Sequence, residues 1–205
     1  TAFYEQSRNK IARFINAFPQ EVIFTRSATE SINTVAYCLG LKEKDEIIIT
    51  EMEHHSNIVP WHIISSRTGA KIKAARITDD GFIDIDHLKS LITDRTKVVS
   101  FTALSNVLGT IQPVEQICSI AASASAISVV DAAQFVAHHP IDVKAWNADF
   151  VAFSGHKMYG PTGVGVLYGK RKHLEAMQPF LGGGDMIKQV FLDRFTCNDL
   201  PYKFE

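Results

Sequence analysis

The sequence has little cysteine, and its three cysteines are not arranged to crosslink the chain or to bind a metal. Cys38, Cys118 and Cys197 lie far apart and form no CxxC pair. An odd number of widely spaced thiols argues against a disulfide framework, and no HExxH motif is present. We therefore predict no metal site. Cys38 and Cys118 fall within apolar helical patterns and are predicted to be buried thiols.

Excess charge of one sign and long apolar runs are also missing. The formal net charge is -1, with basic residues spread along the chain. This distribution predicts no surface for nucleic acid or for an anionic membrane. No apolar run approaches the length that spans a bilayer, and the first residues do not resemble a signal peptide. The expected location is cytoplasmic.

Common nucleotide-binding and nucleophile motifs are absent as well. The chain has no GxGxxG fingerprint and no GxxxxGKS or GxxxxGKT loop, since Gly160, Gly163 and Gly165 have the wrong spacing. A hydrolase triad built from Ser154, His156 and Asp131 would lack the GxSxG turn. Dinucleotide binding and serine hydrolysis are therefore disfavoured.

What the chain has is a regular alternation of apolar strand patterns with amphipathic helix patterns. Hydrophobic residues make up 46% of the 205 residues, enough for the core of one large domain. Alternating strands and helices predict an α/β fold with a doubly wound, mostly parallel sheet. The strand at 163–169 follows its predecessor after too few residues for a crossover helix, so this one strand should be antiparallel. Strands are predicted at 21–25, 46–50, 71–77, 97–104, 126–131, 148–153 and 163–169, and helices ending near residues 18, 41, 67, 92, 124 and 177.

A lysine surrounded by small, turn-forming residues follows one of these strands. Lys157 lies just beyond the apolar run Phe150–Phe153, and Gly160, Pro161 and Gly163 come after it. Ligands of open α/β sheets bind at the carboxyl ends of strands, and a lysine amine can form a Schiff base with a carbonyl. Most loop lysines are plain surface residues, so position alone leaves both interpretations open.

Polar side chains follow four other strands. Residues 27–29 form a small-residue turn that opens a helix, which favours phosphate binding, although ordinary N-capping also explains it. His54 could cover a planar ligand or simply be solvated, and Asn106 could contact a ligand or only form a turn. Asp131 closes an apolar strand shortly before Gln134. A buried carboxylate there needs a partner, and a helix N-cap is the alternative.

One ligand accounts for all of these features, namely pyridoxal phosphate, a phosphorylated aromatic aldehyde with a ring nitrogen. This cofactor needs a Schiff-base lysine and a carboxylate partner for its ring nitrogen. Lys157 and Asp131 supply those two groups. The sequence therefore predicts a pyridoxal phosphate site at the carboxyl edge of the sheet.

Five sequence blocks carry a resemblance to a known family. They are EMEHHSNIVPW (51–61), SNVLGT (105–110), VDAAQ (130–134), HHPIDV (138–143) and FSGHKMYGPTGVGVLY (153–168). These blocks resemble the class V aminotransferase group of fold-type I enzymes and, more narrowly, the group II cysteine desulfurases, also called selenocysteine lyases. The resemblance covers nearly all of the chain, and the lysine and EHHSN blocks are its most specific parts.

The resemblance implies roles around the cofactor ring. Lys157 would hold the cofactor as a Schiff base and then move protons at the α-carbon of the substrate, and Asp131 would pair with the ring nitrogen. His54 would stack on the ring face and is predicted, with Lys157, to be catalytic. Gln134 would contact the phenolic oxygen, and Asn106 would lie at the edge of the ring.

The resemblance also implies a phosphate-binding end. Thr29, with the backbone around Ala28, would hold the phosphate together with Ser154 and His156. The family usually has a glycine and two threonines where this chain has Ser27-Ala28-Thr29. One phosphate-binding hydroxyl is thus missing, and we expect a weaker hold on the phosphate unless Ser27 compensates.

The implied reaction converts L-cysteine, or L-selenocysteine, to L-alanine and leaves the sulfur as a persulfide on an enzyme cysteine. The family supplies sulfur for iron–sulfur cluster assembly through an acceptor protein and completes its sites in a homodimer. Residues 1–205 would be the large, cofactor-binding domain, without the N-terminal segment and the C-terminal small domain. None of the three cysteines matches the nucleophile's motif. Another class V reaction, as in aminotransferases, epimerases or C–S lyases, and a catalytically silent homologue are the alternatives.

Overall fold

A seven-stranded sheet forms the centre of the computed structural model, which describes residues 2–205. The strands of the described chain are β1 (Val22–Thr25), β2 (Glu46–Thr50), β3 (Lys71–Ala75), β4 (Thr96–Thr102), β5 (Ile127–Asp131), β6 (Phe150–Ser154), β7 (Gly165–Gly169), β8 (Ile187–Val190) and β9 (Phe195–Cys197). The helices are α1 (Ala2–Phe14), α2 (Ala28–Cys38), α3 (Val59–Thr68), α4 (Ile85–Leu91), α5 (Val114–Ser123), α6 (Val143–Trp146) and α7 (Arg171–Ala176).

The strand order of the sheet is β1-β7-β6-β5-β4-β2-β3. Strands β2 to β6 pair in parallel, whereas β7 is antiparallel to both of its neighbours, β1 and β6. The predicted mostly parallel α/β sheet with one antiparallel strand is therefore confirmed. The carboxyl ends of β1, β2, β4, β5 and β6 all lie at one edge of the sheet, because these strands run in the same direction.

Helices cover both faces of the sheet. Successive strand residues point to opposite faces, so Val129 and Val130 of β5 enter two different hydrophobic clusters. One cluster includes buried side chains from α5 and α6, and the other includes those from α2, α3 and α7. Burial on both faces explains why the strand sequences are continuous apolar runs rather than alternating patterns.

The structure differs from the predicted elements at the beginning of the chain and in its last quarter. Helix α1 ends at Phe14 rather than near Phe18, and Asn16 adopts a left-handed backbone with φ of 57°. The sequence analysis missed the antiparallel hairpin of β8 and β9, whose residues are mostly exposed and show no apolar alternation. It also missed the short 3-10 helix Tyr202–Phe204. Within the described residues, every helix is too short or too polar to traverse a lipid bilayer.

A buried carboxylate stabilises the edge of the sheet opposite the strand carboxyl ends. Glu46 begins β2, and its side chain accepts hydrogen bonds from Lys73 at 2.6 Å, Thr93 at 2.6 Å and Arg95 at 3.0 Å. Burial alone would raise the pKa of Glu46, but these three hydrogen bonds prevail and lower it to about 2. The charged form is therefore favoured by folding.

Glu46 should make folding sensitive to acid. Because its folded pKa lies below its unfolded value, its contribution to stability is complete above about pH 4.5 and is lost as the pH falls towards about 2. We expect Glu46→Gln to flatten this part of the curve when the free energy of unfolding is measured in urea between pH 6 and pH 2. The exposed Glu43, changed to Gln, is the matched control. Parallel curves for wild type and Glu46→Gln would contradict the assignment.

Candidate active site

All nine residues predicted to bind the cofactor line one cavity at the carboxyl edge of the sheet. Its volume is about 140 Å³. The residues come from the start of α2, from the segments that follow β2 and β4, and from the last residues of β5 and β6 with the segments that follow them. They are Ala28, Thr29, His54, Asn106, Asp131, Gln134, Ser154, His156 and Lys157. Side chains from five separate parts of the sequence thus face the same space.

A larger cavity, of about 570 Å³, lies between α1, β1 and residues 180–181 and 204–205. Its lining includes Phe24, Phe180 and Phe204, and it contains none of the nine predicted residues. The smaller cavity, by contrast, is lined by an amine, an imidazole and a buried carboxylate, which are the groups that the predicted chemistry requires. The smaller cavity is therefore the candidate active site.

A tight turn after β6 presents Lys157. The segment Gly155–Lys157 is a short 3-10 helix in which the Gly155 N–H donates to the Val164 carbonyl at 2.7 Å. A side chain on Gly155 would meet the carbonyl oxygens of Pro161 and Val164 at 3.1 Å. The glycine therefore lets the turn pack closely against the following loop, with Lys157 at the cavity.

The start of α2 lines one part of the cavity. The Ala28 N–H donates to Ser154 Oγ at 2.8 Å, which ties the helix to the end of β6. Ser27 adopts an extended backbone with φ of -173°, and its Oγ accepts from the Glu30 N–H at 3.2 Å. Ser27 thus caps the helix, while the exposed Thr29 lines the cavity at a helix N-terminus, where anions are favoured.

Gly165 allows the turn at Ser27 to lie close to β7. The first residue of β7 lies directly beneath Ser27, and a Cβ on Gly165 would fall 2.5 Å from the Cα and carbonyl carbon of Ser27. No side chain fits there without moving the backbone. The position of the α2 N-terminus therefore depends on a glycine in a neighbouring strand of the sheet.

Asp131 is a buried carboxylate at the base of the cavity. Its Oδ1 accepts from the Ala133 N–H at 2.9 Å, and within residues 2–205 no protein donor is found for Oδ2, which is not fully enclosed. Burial raises its pKa to about 6, although the Ala133 N–H and the positive charge of Lys157 oppose the shift. The carboxylate is therefore short of donors and suited to a cationic N–H donor in the cavity.

His54 supplies a neutral imidazole. The Ser56 N–H donates to Nδ1 at 3.2 Å and the Ser56 hydroxyl also contacts Nδ1, so the ring hydrogen lies on Nε2. Burial lowers its pKa, and the neighbouring His55 and Lys157 lower it further. The ring centroids of His54 and His55 are 3.8 Å apart and the ring planes are inclined by 37°, so the two rings are in contact but not parallel.

Asn106 and Gln134 complete the predicted set. Asn106 is exposed in the loop after β4, and Gln134 precedes the 3-10 helix Phe135–Ala137 after β5. The cavity also contains Ser27, from the predicted turn at 27–29, and four residues that the sequence analysis did not assign, namely Ser56, Thr102, Leu104 and Ala133. Ser56 belongs to the EHHSN block, which could have pointed to it. The other three carry no distinguishing sequence signal apart from their position near strand exits.

The three cysteines lie outside the cavity. Cys38 and Cys118 are buried, as predicted, and burial raises their pKa values to about 11 and about 12. Cys197 is partly exposed on β9. A thiol with so high a pKa is a poor nucleophile, because the thiolate is the reactive form. Neither Cys38 nor Cys118 is suited to react with a substrate.

The chain is similar to cysteine desulfurases over its whole length. A protein named probable cysteine desulfurase from Synechocystis sp. is 50% identical over 209 residues, which cover 100% of this chain and 50% of that protein. The crystal structure of the cysteine desulfurase CsdA (S-sulfonic acid) from Escherichia coli has a TM-score of 0.97 and 44% identity, covering 100% of this chain and 52% of that one. A C-DES mutant with glycine covalently linked to its PLP cofactor has a TM-score of 0.91 and 25% identity, covering 98% and 55%.

The chain spans about half the length of these relatives. The family model described as Aminotransferase class-V matches residues 1–205. The chain therefore belongs to the class V aminotransferase family.

Proposed function

We propose that this chain is the pyridoxal phosphate-binding large domain of a cysteine desulfurase. The observation that carries the proposal is that Lys157 and Asp131, from adjacent strand exits, line the same cavity as an anion-binding helix N-terminus. The similarity to cysteine desulfurases supports it. The domain assignment extends over residues 1–205, with the rest of the protein supplied by other segments.

The donor set fits pyridoxal phosphate. Asp131 has a carboxylate oxygen without a protein donor, which suits a protonated ring nitrogen. Thr29 with the Ala28 backbone, Ser154 and His156 would hold the phosphate, while His54, Asn106 and Gln134 would contact the ring. When bound, the cofactor withdraws electrons from the α-carbon of an amino acid.

Lys157 and His54 would do the chemistry that the chain itself provides. The Lys157 amine would bond the aldehyde and afterwards take and return the proton of the substrate's α-carbon. His54 is neutral near pH 7 because its pKa is lowered, so its face can cover the ring without opposing a positive charge there. The ionised Asp131 would keep the ring nitrogen protonated.

Sulfur transfer needs a thiol that this part of the protein does not bring to the cavity. The thiolate would attack the sulfur of cysteine, the carbon–sulfur bond would break, and L-alanine and an enzyme persulfide would form. We infer that this cysteine, which accepts the sulfur, lies outside residues 2–205. By resemblance, the same proposal includes a homodimer, a sulfur-acceptor protein, iron–sulfur cluster assembly, a cytoplasmic location and L-selenocysteine as an alternative substrate.

Two measurements test the proposal. Addition of pyridoxal phosphate to this chain should give an absorption band in the near-violet, from the bond between the cofactor and Lys157. The longer protein, given L-cysteine and a reductant, should release alanine and sulfide in equal amounts. Release of pyruvate in place of alanine would assign it as a C–S lyase, and a chain that stays colourless would contradict the cofactor site itself.

A further inference from the structure

A second carboxyl group lies behind the cavity and has no part in the proposed chemistry. Glu53 immediately precedes His54 and is buried. Its Oε1 accepts from the Thr102 N–H at 3.0 Å and from the Thr50 hydroxyl, and its Oε2 accepts from Asn57 Nδ2 at 2.6 Å. One carboxyl group thus joins the end of β2, the turn that carries His54 and the end of β4.

The orientation of Asn57 is fixed by other buried groups. Its Oδ1 accepts from Ser100 Oγ at 2.6 Å and from Trp61 Nε1 at 3.2 Å. Asn57, Ser100 and Trp61 are all completely buried. If the Asn57 amide flipped, its NH₂ group would face the indole N–H of Trp61, which can only donate, and this is costly in a buried site. Asn57 can therefore only donate to Glu53.

Thr102 connects Glu53 to Asp131 in space. Thr102, whose N–H binds Glu53, is the direct partner of Asp131 in the β4–β5 register. Burial raises the pKa of Glu53, hydrogen bonds from Thr50 and Asn57 lower it, and the negative charge of Asp131 raises it again, to about 8. The other titratable side chains that line the cavity with Asp131 are Lys157, His54 and His156.

Two carboxyl groups this close titrate as a pair. The positive charge of Lys157 lowers the pKa of Asp131, whereas the negative charge of Asp131 raises the pKa of Glu53, so Asp131 ionises first and Glu53 keeps its proton. Of the three partners of Glu53, only the Thr50 hydroxyl can accept a hydrogen bond as well as donate one. When Glu53 is neutral, it therefore donates its proton to the Thr50 hydroxyl, which then no longer donates to Oε1.

We propose that Glu53 is a positioning residue, whose carboxyl group holds the His54 turn against β4 and whose proton leaves the negative charge of the pair on Asp131. Loss of this contact would free the turn that carries the imidazole. The proposal rests on the proposed function only in treating this cavity as the active site. The contacts of Glu53 are between protein groups and need no cofactor.

The test follows the His54 ring in the cofactor-free protein by ¹⁵N NMR. Wild type should show one tautomer, with hydrogen on Nε2, and a titration below the ordinary histidine range. In either orientation of the amide that Glu53→Gln introduces, its NH₂ group meets a group that can only donate, the Asn57 NH₂ or the Thr102 N–H. The turn should therefore loosen, and the His54 titration should move up towards about pH 6.5. The double variant Glu53→Gln/Asn57→Asp restores a donor–acceptor pair and should restore the wild-type signal. The exposed Glu51, changed to Gln, is the control and should have no effect.

A second measurement tests whether the negative charge of Asp131 affects the titration of Glu53. In protein with ¹³C-labelled glutamate carboxyls, Asp131→Asn should lower the pH at which Glu53 titrates by about one unit or more, the coupling expected of an interacting carboxyl pair. An unchanged His54 signal in Glu53→Gln, or an unchanged Glu53 titration in Asp131→Asn, would overturn the proposal. If Glu53→Gln does not fold, the Asp131→Asn titration decides. Because no cofactor is present, failure of the proposed function would leave both results intact.

Discussion

Lys157→Ala should abolish the near-violet absorption band that pyridoxal phosphate gives with the wild-type chain. Lys157 is the one lysine that lines the candidate site in the described residues, so no other amine is placed to bond the aldehyde. In the longer protein, loss of this proton-transfer group should lower the turnover of cysteine about 10³-fold, within the range typical of general acid–base catalysis. The spectrum and alanine release measure the two effects.

The control for this substitution is Lys172→Ala. Lys172 is exposed on α7 and lies outside the cavity. It should leave the band and the turnover unchanged, because removing a surface lysine alters only the net charge. If Lys157→Ala kept the band while Lys172→Ala lost it, the assignment of Lys157 would be wrong.

Gly165→Ala should have the second largest effect, although residue 165 has no side chain that could react. The added methyl group would lie 2.5 Å from the Ser27 backbone, so either the α2 N-terminus or β7 must move. Overpacking of this kind typically costs about 1–3 kcal/mol of folding free energy. A displacement of the Ala28 and Thr29 groups should also weaken pyridoxal phosphate binding about tenfold, which corresponds to about 1.4 kcal/mol.

Urea denaturation and titration with pyridoxal phosphate measure these losses. Gly182→Ala is the matched control, because a Cβ on Gly182 would have no atom within 4 Å and its backbone is not left-handed. It should change neither quantity by a measurable amount. Equal cofactor affinity in Gly165→Ala and wild type would mean that the turn at Ser27 does not hold the phosphate.

The sequence was sufficient to predict that Asp131 and Lys157 lie at the same edge of the sheet. Each follows an apolar run, and such runs indicate parallel strands whose carboxyl ends share an edge. Their meeting in one cavity depends also on the strand order, in which β5 and β6 are neighbours. The roles that the resemblance gives to His54, Asn106 and Gln134 stay predictions until a cofactor is bound.

Other features could not be predicted, because they depend on pairing between distant residues. Nothing local to Gly165 indicates that Ser27 lies above it, and the burial of Glu53 depends on Thr102 and Asn57 meeting it from two directions. The β8–β9 hairpin was missed because its exposed residues do not show the apolar alternation by which strands are recognised.

The pairing of β1 with β7 has a consequence for the order in which the site is built. Thr25 lies next to Gly165, although more than half of the chain separates them. Contacts between residues so distant in sequence are slow to form, since a long loop must close first. Ser27 and the start of α2 follow β1 directly, so the N-terminus of α2 cannot reach its final position during synthesis until the ribosome has made β7. The cavity residues that are translated first are thus among the last to be placed.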